Sequence, residues 1–253
     1  MLILIVLLGI SSFIHSSSLT YNYSTYKQVR YKLSSQGNIS NIFSKSPPVI
    51  RLDSESDVLV SVLPSRGDSL HIRIDITPLT VTINGLTWPL SKKYNMTAIL
   101  TMLPSGKGLK LRYFKGYRMS SNVFMGIYYG LLPQFPDNIK IGTTWQQAHD
   151  TKFKITPDYF PSLSVKSIFK YERDEHIEDY DLINIVVRST QIITEKRVKG
   201  RGKADMLLKF YPSKGIVTSG TLRWLMNTDF FKDGEKERVF WDQVFSLSFI
   251  EAK

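Results

Sequence analysis

The densest cluster of side chains able to do chemistry is basic. Lys196, Arg197, Lys199, Arg201 and Lys203 place five cations within eight residues, broken by Gly200 and Gly202. Ammonium and guanidinium groups at that spacing contact phosphate or carboxylate, and the glycines predict a mobile or bulged loop that adapts to such groups. A second basic stretch runs through Lys107, Lys110, Arg112, Lys115 and Arg118. The chain as a whole carries 33 Lys and Arg against 22 Asp and Glu, a formal +11. That balance favours an anionic surface as partner, such as lipid headgroups or envelope polymers, with nucleic acid not expected. The competing reading is a solvated hairpin in a protein whose charge only keeps it soluble.

Other chemistry is sparse. His15, His71, His149 and His176 are isolated from one another, and no two-His or Cys/His spacing of a zinc site occurs. Asp174, Glu175, Glu178, Asp179 and Asp181 are close in sequence, but they lack the spacing and the glycine of a calcium loop and read as a polar turn. There is no nucleophile elbow; Thr218-Ser219-Gly220 sits inside a strand pattern. No phosphate-binding loop or dinucleotide fingerprint occurs. The sequence therefore predicts no catalytic residue, no metal and no cofactor. The enzymatic alternative is a hydrolase whose residues meet only in space. Asn22, Asn38 and Asn95 each begin an N-x-S/T sequon.

The elements that would position these groups begin after a leader. Met1 to Ile14 is almost continuously apolar, Ser16-Ser17-Ser18 follows, and no charge occurs before Lys27. This pattern predicts a signal peptide over residues 1–18 with cleavage near Leu19. The run is shorter than the ~20 residues that span a bilayer, so no stable transmembrane span is expected after cleavage. An uncleaved anchor is the rival reading. The mature protein is then periplasmic or extracellular. It has no Cys, so no disulfide staples it and its core must hold it together.

Period-two alternation marks strands. The clearest runs are Leu70 to Ile76, Leu79 to Ile83, Tyr94 to Met102, Leu109 to Tyr113, Val165 to Tyr171, Ile183 to Val187, Ala204 to Phe210, Ile216 to Met226 and Val239 to Ile250. Asn84-Gly85 suits a hairpin turn that needs positive φ at both central positions. Ser120-Ser121-Asn122 can cap a helix near 122–132, whose stripe is Val123, Ile127 and Leu131 and which Pro133 ends. The expected class is mainly β, with antiparallel curved sheets arranged as a sandwich or as half-barrels and this one short helix. The expected divisions are an N-terminal β half over 19–119, a helix and Pro-rich connector over 120–141, and a C-terminal β half over 142–253.

The connector carries a motif. Pro133 and Pro136 stiffen the chain, Gly142 suits a positive-φ turn, and Trp145 offers a large apolar body at the start of the next strand. Structural lock and ligand-lining Trp are both open readings. The run Leu132-Pro133-Gln134-Phe135-Pro136, followed by Ile139 to Trp145, resembles a segment of exported bacterial envelope proteins of unknown function. In those proteins a proline is followed by a V/I-x-x-G-x-x-W signature between two β-rich halves. Gly200-Arg201-Gly202-Lys203 and the Tyr211 to Trp224 hairpin are similar to their second half. Such proteins often begin with a lipidated Cys, which this chain lacks. In architecture alone the pattern also resembles the half-barrels of lipoprotein carriers. The resemblance implies a β-rich fold and an envelope location, and with no catalytic motif in the sequence the expected protein is a non-catalytic one. Tyr94, Met96, Met102, Tyr113, Trp224, Met226, Trp241 and Phe245 motivate an apolar or amphipathic ligand in a curved sheet, although any β core uses such residues. The alternative is a protein that acts through its basic surface on an anionic polymer, a lipid or a protein partner.

Overall fold

The computed structural model describes residues 19–41, 49–64, 67–108, 110–115, 133–152, 162–177, 180–195, 198–232 and 235–253. The expected signal peptide and the helix expected near 122–132 lie outside these residues. The chain is mainly β and antiparallel, as its alternation predicts. The strands are β1 (Gln28–Asn41), β2 (Val49–Leu63), β3 (Leu70–Ile83), β4 (Leu86–Pro89), β5 (Met96–Met102) and β6 (Lys110–Lys115). They continue with β7 (Thr144–Lys152), β8 (Ser162–Ile177), β9 (Tyr180–Thr194), β10 (Val198–Tyr211), β11 (Ile216–Lys232) and β12 (Glu235–Ala252).

All of them belong to one curved sheet, ordered β6-β5-β3-β2-β1-β12-β11-β10-β9-β8-β7, with β4 paired to β3 beyond the reach of β5. The two halves are thus continuous, and the sandwich alternative gives way to a single sheet. Strands adjacent in sequence are joined as hairpins or meanders. The chief exception is β1 with β12, which pair from Val29↔Ala252 to Asn41↔Val239. The edges β6 and β7 consequently fall in the middle of the chain.

Several sequence-predicted boundaries move. Leu70–Ile76 and Leu79–Ile83 are one strand, β3, with Pro78 at a bulge where the register shifts opposite Glu55 and Ser56. A proline has no N–H for the ladder, and a bulge is where a strand tolerates that. The Asn84-Gly85 turn has φ of 50° and 85°, and the Asn84 side chain accepts a hydrogen bond from Arg51 N at 2.8 Å. The acidic stretch is mostly strand rather than turn, since β8 runs to Ile177 and β9 resumes at Tyr180. β1 and β2 were not among the predicted runs.

The sheet curves around an apolar core drawn from both halves. Tyr31, Leu33, Val58, Val60, Ile72, Ile74, Ile76, Met96 and Leu100 join Phe169, Ile185, Leu208, Phe210, Phe245 and Leu247 in one cluster. One end of this core is closed by the segment before β1. Tyr21 N donates to Pro104 O at 2.6 Å and Asn22 N to Gly215 O at 3.0 Å. Tyr21 Oη donates to Pro133 O at 2.8 Å. Its ring lies 5.8 Å from Tyr23, 5.2 Å from Phe135 and 5.7 Å from Phe210. The connector is tied down beside it, with Phe135 N donating to Ser105 O at 2.7 Å and Lys107 paired with Asp137. Gly106 and Gly215 have φ of 80° and 62°, and a Cβ on either would strike the backbone of Pro133 or Asn22.

Burial pushes the Tyr23 hydroxyl up to about 12, and burial also holds Tyr21 and Tyr31 well above the ordinary tyrosine value. A raised folded pKa contributes stability that is complete below the unfolded value of about 10 and is lost as pH rises through the folded one. Unfolding between roughly pH 10 and 12 should therefore coincide with the appearance of tyrosinate absorbance. Following circular dichroism and absorbance together tests this, and full tyrosine ionisation with the sheet intact would contradict it.

Candidate functional site

Cross-strand partners share a face, so register identifies every inward position. Along the inner face the closed core gives way to small and polar residues. A path of partners runs Ser54↔Ser35, Gly37↔Gln243, Gln243↔Trp224, Trp224↔Ala204, Ala204↔Ser189, Ser189↔Ser167 and Ser167↔Gln147. This belt crosses the sheet from β2 to β7. Its members bond to one another: Ser35 and Ser54 hydroxyls lie 2.8 Å apart and those of Ser167 and Ser189 2.7 Å. Trp224 Nε1 donates to Gln191 Oε1 at 2.6 Å, and Gln147 Nε2 donates to Gln134 O at 3.1 Å.

Beyond the belt lies a second apolar cluster of Val165, Ile193, Val198 and Met226, with Trp224, Phe230 and Trp241 packed against it. The Trp224 and Trp241 rings are 6.2 Å apart. On the N-terminal side the same inward rows continue through Ile39↔Ile50, Leu52↔Ile83, Ile83↔Leu86 and Val81↔Trp88. Leu86 and Trp88 are 65% and 43% exposed. This end of the curved sheet, the cup, is therefore lined by inward apolar side chains that are exposed at Leu86 and Trp88, opposite the end that Tyr21 closes.

The predicted basic residues are elsewhere. Lys199, Arg201 and Lys203 lie in β10, not in a loop, and point outward. Lys196 and Arg197 lie outside the described residues. Gly200 and Gly202 face inward, where a Cβ would come within 2.9 Å and 2.5 Å of the Met226 side chain. Those glycines serve a close approach in the second cluster, and the ladder runs through them without a bulge. On the outer side, Lys203 borders a shallow groove of about 730 Å³ that Gln146, Lys166, Ile168, Arg188 and Asp205 also line.

The connector residues sit at the closed end. Pro133 O accepts from Tyr21, and Pro136 follows Phe135, which is fully buried. Gly142 has φ of 87° and its N–H donates to Tyr171 O at 2.8 Å. Trp145 stacks on Phe169 at 5.2 Å, packed against the main core, with its Nε1 buried and without a hydrogen-bond partner.

Of the acidic stretch, Asp174, Glu175 and Asp181 are paired, and Glu178 and Asp179 lie outside the described residues. Lys209 is hydrogen-bonded to Glu175 and, with Asn184, holds its carboxyl below the usual range. Tyr171 donates to Asp174, and His176 meets Asp181 at 2.8 Å. Among the described residues no group of three His, Cys, Asp or Glu could hold a metal ion. Of the residues expected to line a ligand site, Met96, Met102 and Phe245 are core, whereas Trp224, Met226 and Trp241 belong to the cup. The side chain of Tyr113 lies outside the described set. Leu86, Trp88 and Ile50 complete the mouth and were missed, because a face is visible only once register is known.

No protein-family model matches the chain, and no curated protein matches it. Among solved structures it is similar to an outer membrane channel from Pseudomonas putida, at 7% identity over 89% of this chain and 96% of that one. The TM-score is 0.25, a likeness too slight to bear on function. No helix among the described residues is long and apolar enough to cross a membrane.

The Trp224–Gln191 bond joins the belt to the cup. Replacing Gln191 with Leu leaves the indole N–H without its acceptor in a buried place, which costs about 1–3 kcal/mol. Chemical denaturation should register that loss, and an unchanged midpoint would mean that the bond contributes nothing.

Proposed function

We propose that this chain is a non-catalytic exported protein of the cell envelope that holds an apolar or amphipathic ligand in the cup. The observation that carries the reading is the exposure of inward-facing Leu86 and Trp88 at a mouth that continues to Phe230 and Trp241. Apolar residues on the concave side of a sheet are ordinarily buried, so a cup of aliphatic and aromatic side chains open to water is a place for an apolar group. The belt of Ser35, Ser54, Gln191 and Gln243 at its floor supplies hydroxyl and amide groups, which suits a ligand with one polar end.

The outward face argues for water rather than lipid around most of the sheet. Arg30–Glu251, Lys32–Glu55, Arg73–Asp75, Arg223–Asp242 and Arg238–Asp229 all lie on outward positions of the strands. A membrane barrel presents an apolar band there. Export is supported by the leader, and the burial of Leu19 at 3% exposure sets a limit on processing. Cleavage later than Ser18 would strip a core residue.

Two measurements test the reading. Native mass spectrometry of protein from its own host should show a bound lipid-sized molecule, and a fluorescent fatty acid should bind and be displaced by that molecule. Leu86→Ser combined with Trp88→Ala should weaken binding by about tenfold, since each removes contact area at the mouth without touching the closed core. A ligand-free mass together with no probe binding would sink the proposal. Separately, N-terminal sequencing of the exported protein should begin at Leu19; intact Met1 in the soluble cytoplasm would contradict export.

A further inference from the structure

The outer face is divided in the way its cations are used. On β1, β2, β3, β11 and β12 the outward cations Arg30, Lys32, Arg51, Arg73, Arg223, Lys236 and Arg238 each have a carboxylate within about 3 Å. On β8, β9 and β10 Lys209 pairs with Glu175, but a group of cations further along the strands does not. Lys166, Arg188, Lys199, Arg201 and Lys203 are exposed and make no ion pair among the described residues. Lys199 approaches the Phe231 ring, at 5.7 Å. The carboxylates nearest them are Asp205, in the groove and opposite Arg188, Asp150, hydrogen-bonded to Ser164, and Asp229, opposite Lys199 but paired with Lys236 and Arg238.

Register packs these cations tightly. Lys166↔Thr190↔Lys203 and Ile168↔Arg188↔Asp205 are neighbouring rows, and Ser164↔Ile192↔Arg201 is the next. Strands about 4.8 Å apart, with same-face residues about 7 Å apart, put each cation within roughly 7–10 Å of another. Aliphatic side chains stand exposed in the same rows, Ile168 at 47% and Ile192 at 45%, and Leu207, in the row beyond Arg188, is 40% exposed.

We infer that the outer face of β8–β10 docks on an anionic lipid surface. This is independent of the cup, which opens on the other side of the sheet. Unpaired cations so close together raise one another's energy unless counter-charge arrives, and a layer of phosphate headgroups supplies it. The exposed isoleucines distinguish that partner from a hydrated polyanion: they gain nothing from a polysaccharide, but they can enter the boundary between headgroups and acyl chains. A second copy of the chain is the wrong partner, because two such faces repel.

The test is sedimentation with vesicles of phosphatidylcholine alone and with phosphatidylglycerol added. The protein should bind only the anionic vesicles, more weakly as salt rises. Each cation at such a surface contributes about fivefold, so Lys166→Gln/Arg188→Gln/Lys203→Gln should weaken binding by on the order of 100-fold. Arg30→Gln/Lys32→Gln/Arg73→Gln removes the same charge from the far strands and should leave binding nearly unchanged. Ile168→Ser/Ile192→Ser should weaken vesicle binding by about tenfold while leaving retention on heparin unaltered. These positions are exposed, and circular dichroism of each variant verifies folding. The proposal is overturned if the unmodified protein ignores anionic vesicles, or if the two cation triples behave alike. Vesicle binding unaffected by the isoleucine changes would overturn it too, and would assign the face to a hydrated polyanion.

Discussion

The pairing of the first strand with the last holds the rest of this molecule in place. β1 and β12 sit at the middle of the sheet, and only their pairing joins the strands on one side to those on the other among the described residues. Without that seam the chain would be two meanders, each with two unpaired edges and half of an apolar face in water. The seam is tight at one point in particular. A Cβ on Gly37 would lie 2.3 Å from Asp242 O and 2.7 Å from Gln243 Cα, so this ladder closes only around a residue with no side chain. The same strand continues backwards into Leu19 to Tyr26, so forming the seam also delivers Tyr21 and Tyr23 to the end of the core. Closing the sheet and plugging it are one event. It joins residues at opposite ends of the chain, a costly loop closure that puts the fold among slow, non-local topologies.

What lies inside follows from the size of the inward residues. Where Tyr31, Phe169, Phe210 and Phe245 face one another, the curved sheet is filled. Where Gly37, Ser54, Gly202 and Ser189 face inward, bulk is missing, and hydroxyl and amide groups satisfy each other across strands. A row of serines and glycines buries less apolar area than the valines a β core would otherwise use, at ~25 cal/mol for each Å² forgone. The belt therefore weakens the fold locally. It also separates the main core from the cluster around Met226 and Trp241, which could otherwise have merged with it into one filled interior.

The legible part of this structure was the part where alternation is strong. β3, β5, β10, β11 and β12 carry long apolar rows, and Asn84-Gly85 announces its own turn. β1 and β2 were not seen because the belt passes through them. Ser34 to Asn38 and Ser54 to Asp57 interrupt the period with small polar residues on both faces, so the central strands of the sheet look least like strands. Val29, Tyr31 and Leu33, with Val58 and Val60, were the available signal. Gly200 and Gly202 misled in the opposite way. Flanked by charges they read as a loop, yet their missing side chains make room for Met226 on the adjacent strand β11. Of the cup, Trp224, Met226 and Trp241 were named from the sequence, but its mouth was not, because Leu86 and Ile50 are brought beside Trp241 only by the β1–β12 seam.

The charges divide across the outer face. Along β1, β2 and β12 a carboxylate stands next to each cation: Arg30 finds Glu251 on β12, Lys32 finds Glu55 on β2, and Arg51 finds Asp53 two residues on. Ion pairs this exposed contribute little to stability, typically 0–1 kcal/mol each. Their effect is to keep the outward field of the middle of the sheet near neutral. On β8–β10 both sides of each strand are occupied, so pairing was sterically available there, and the row Lys166, Thr190, Lys203 forgoes it. Thr190 stands where one carboxylate would have neutralised two lysines. Folding alone gives no reason to leave that field uncompensated, and unpaired cations gathered on one face act outward, on whatever approaches the sheet.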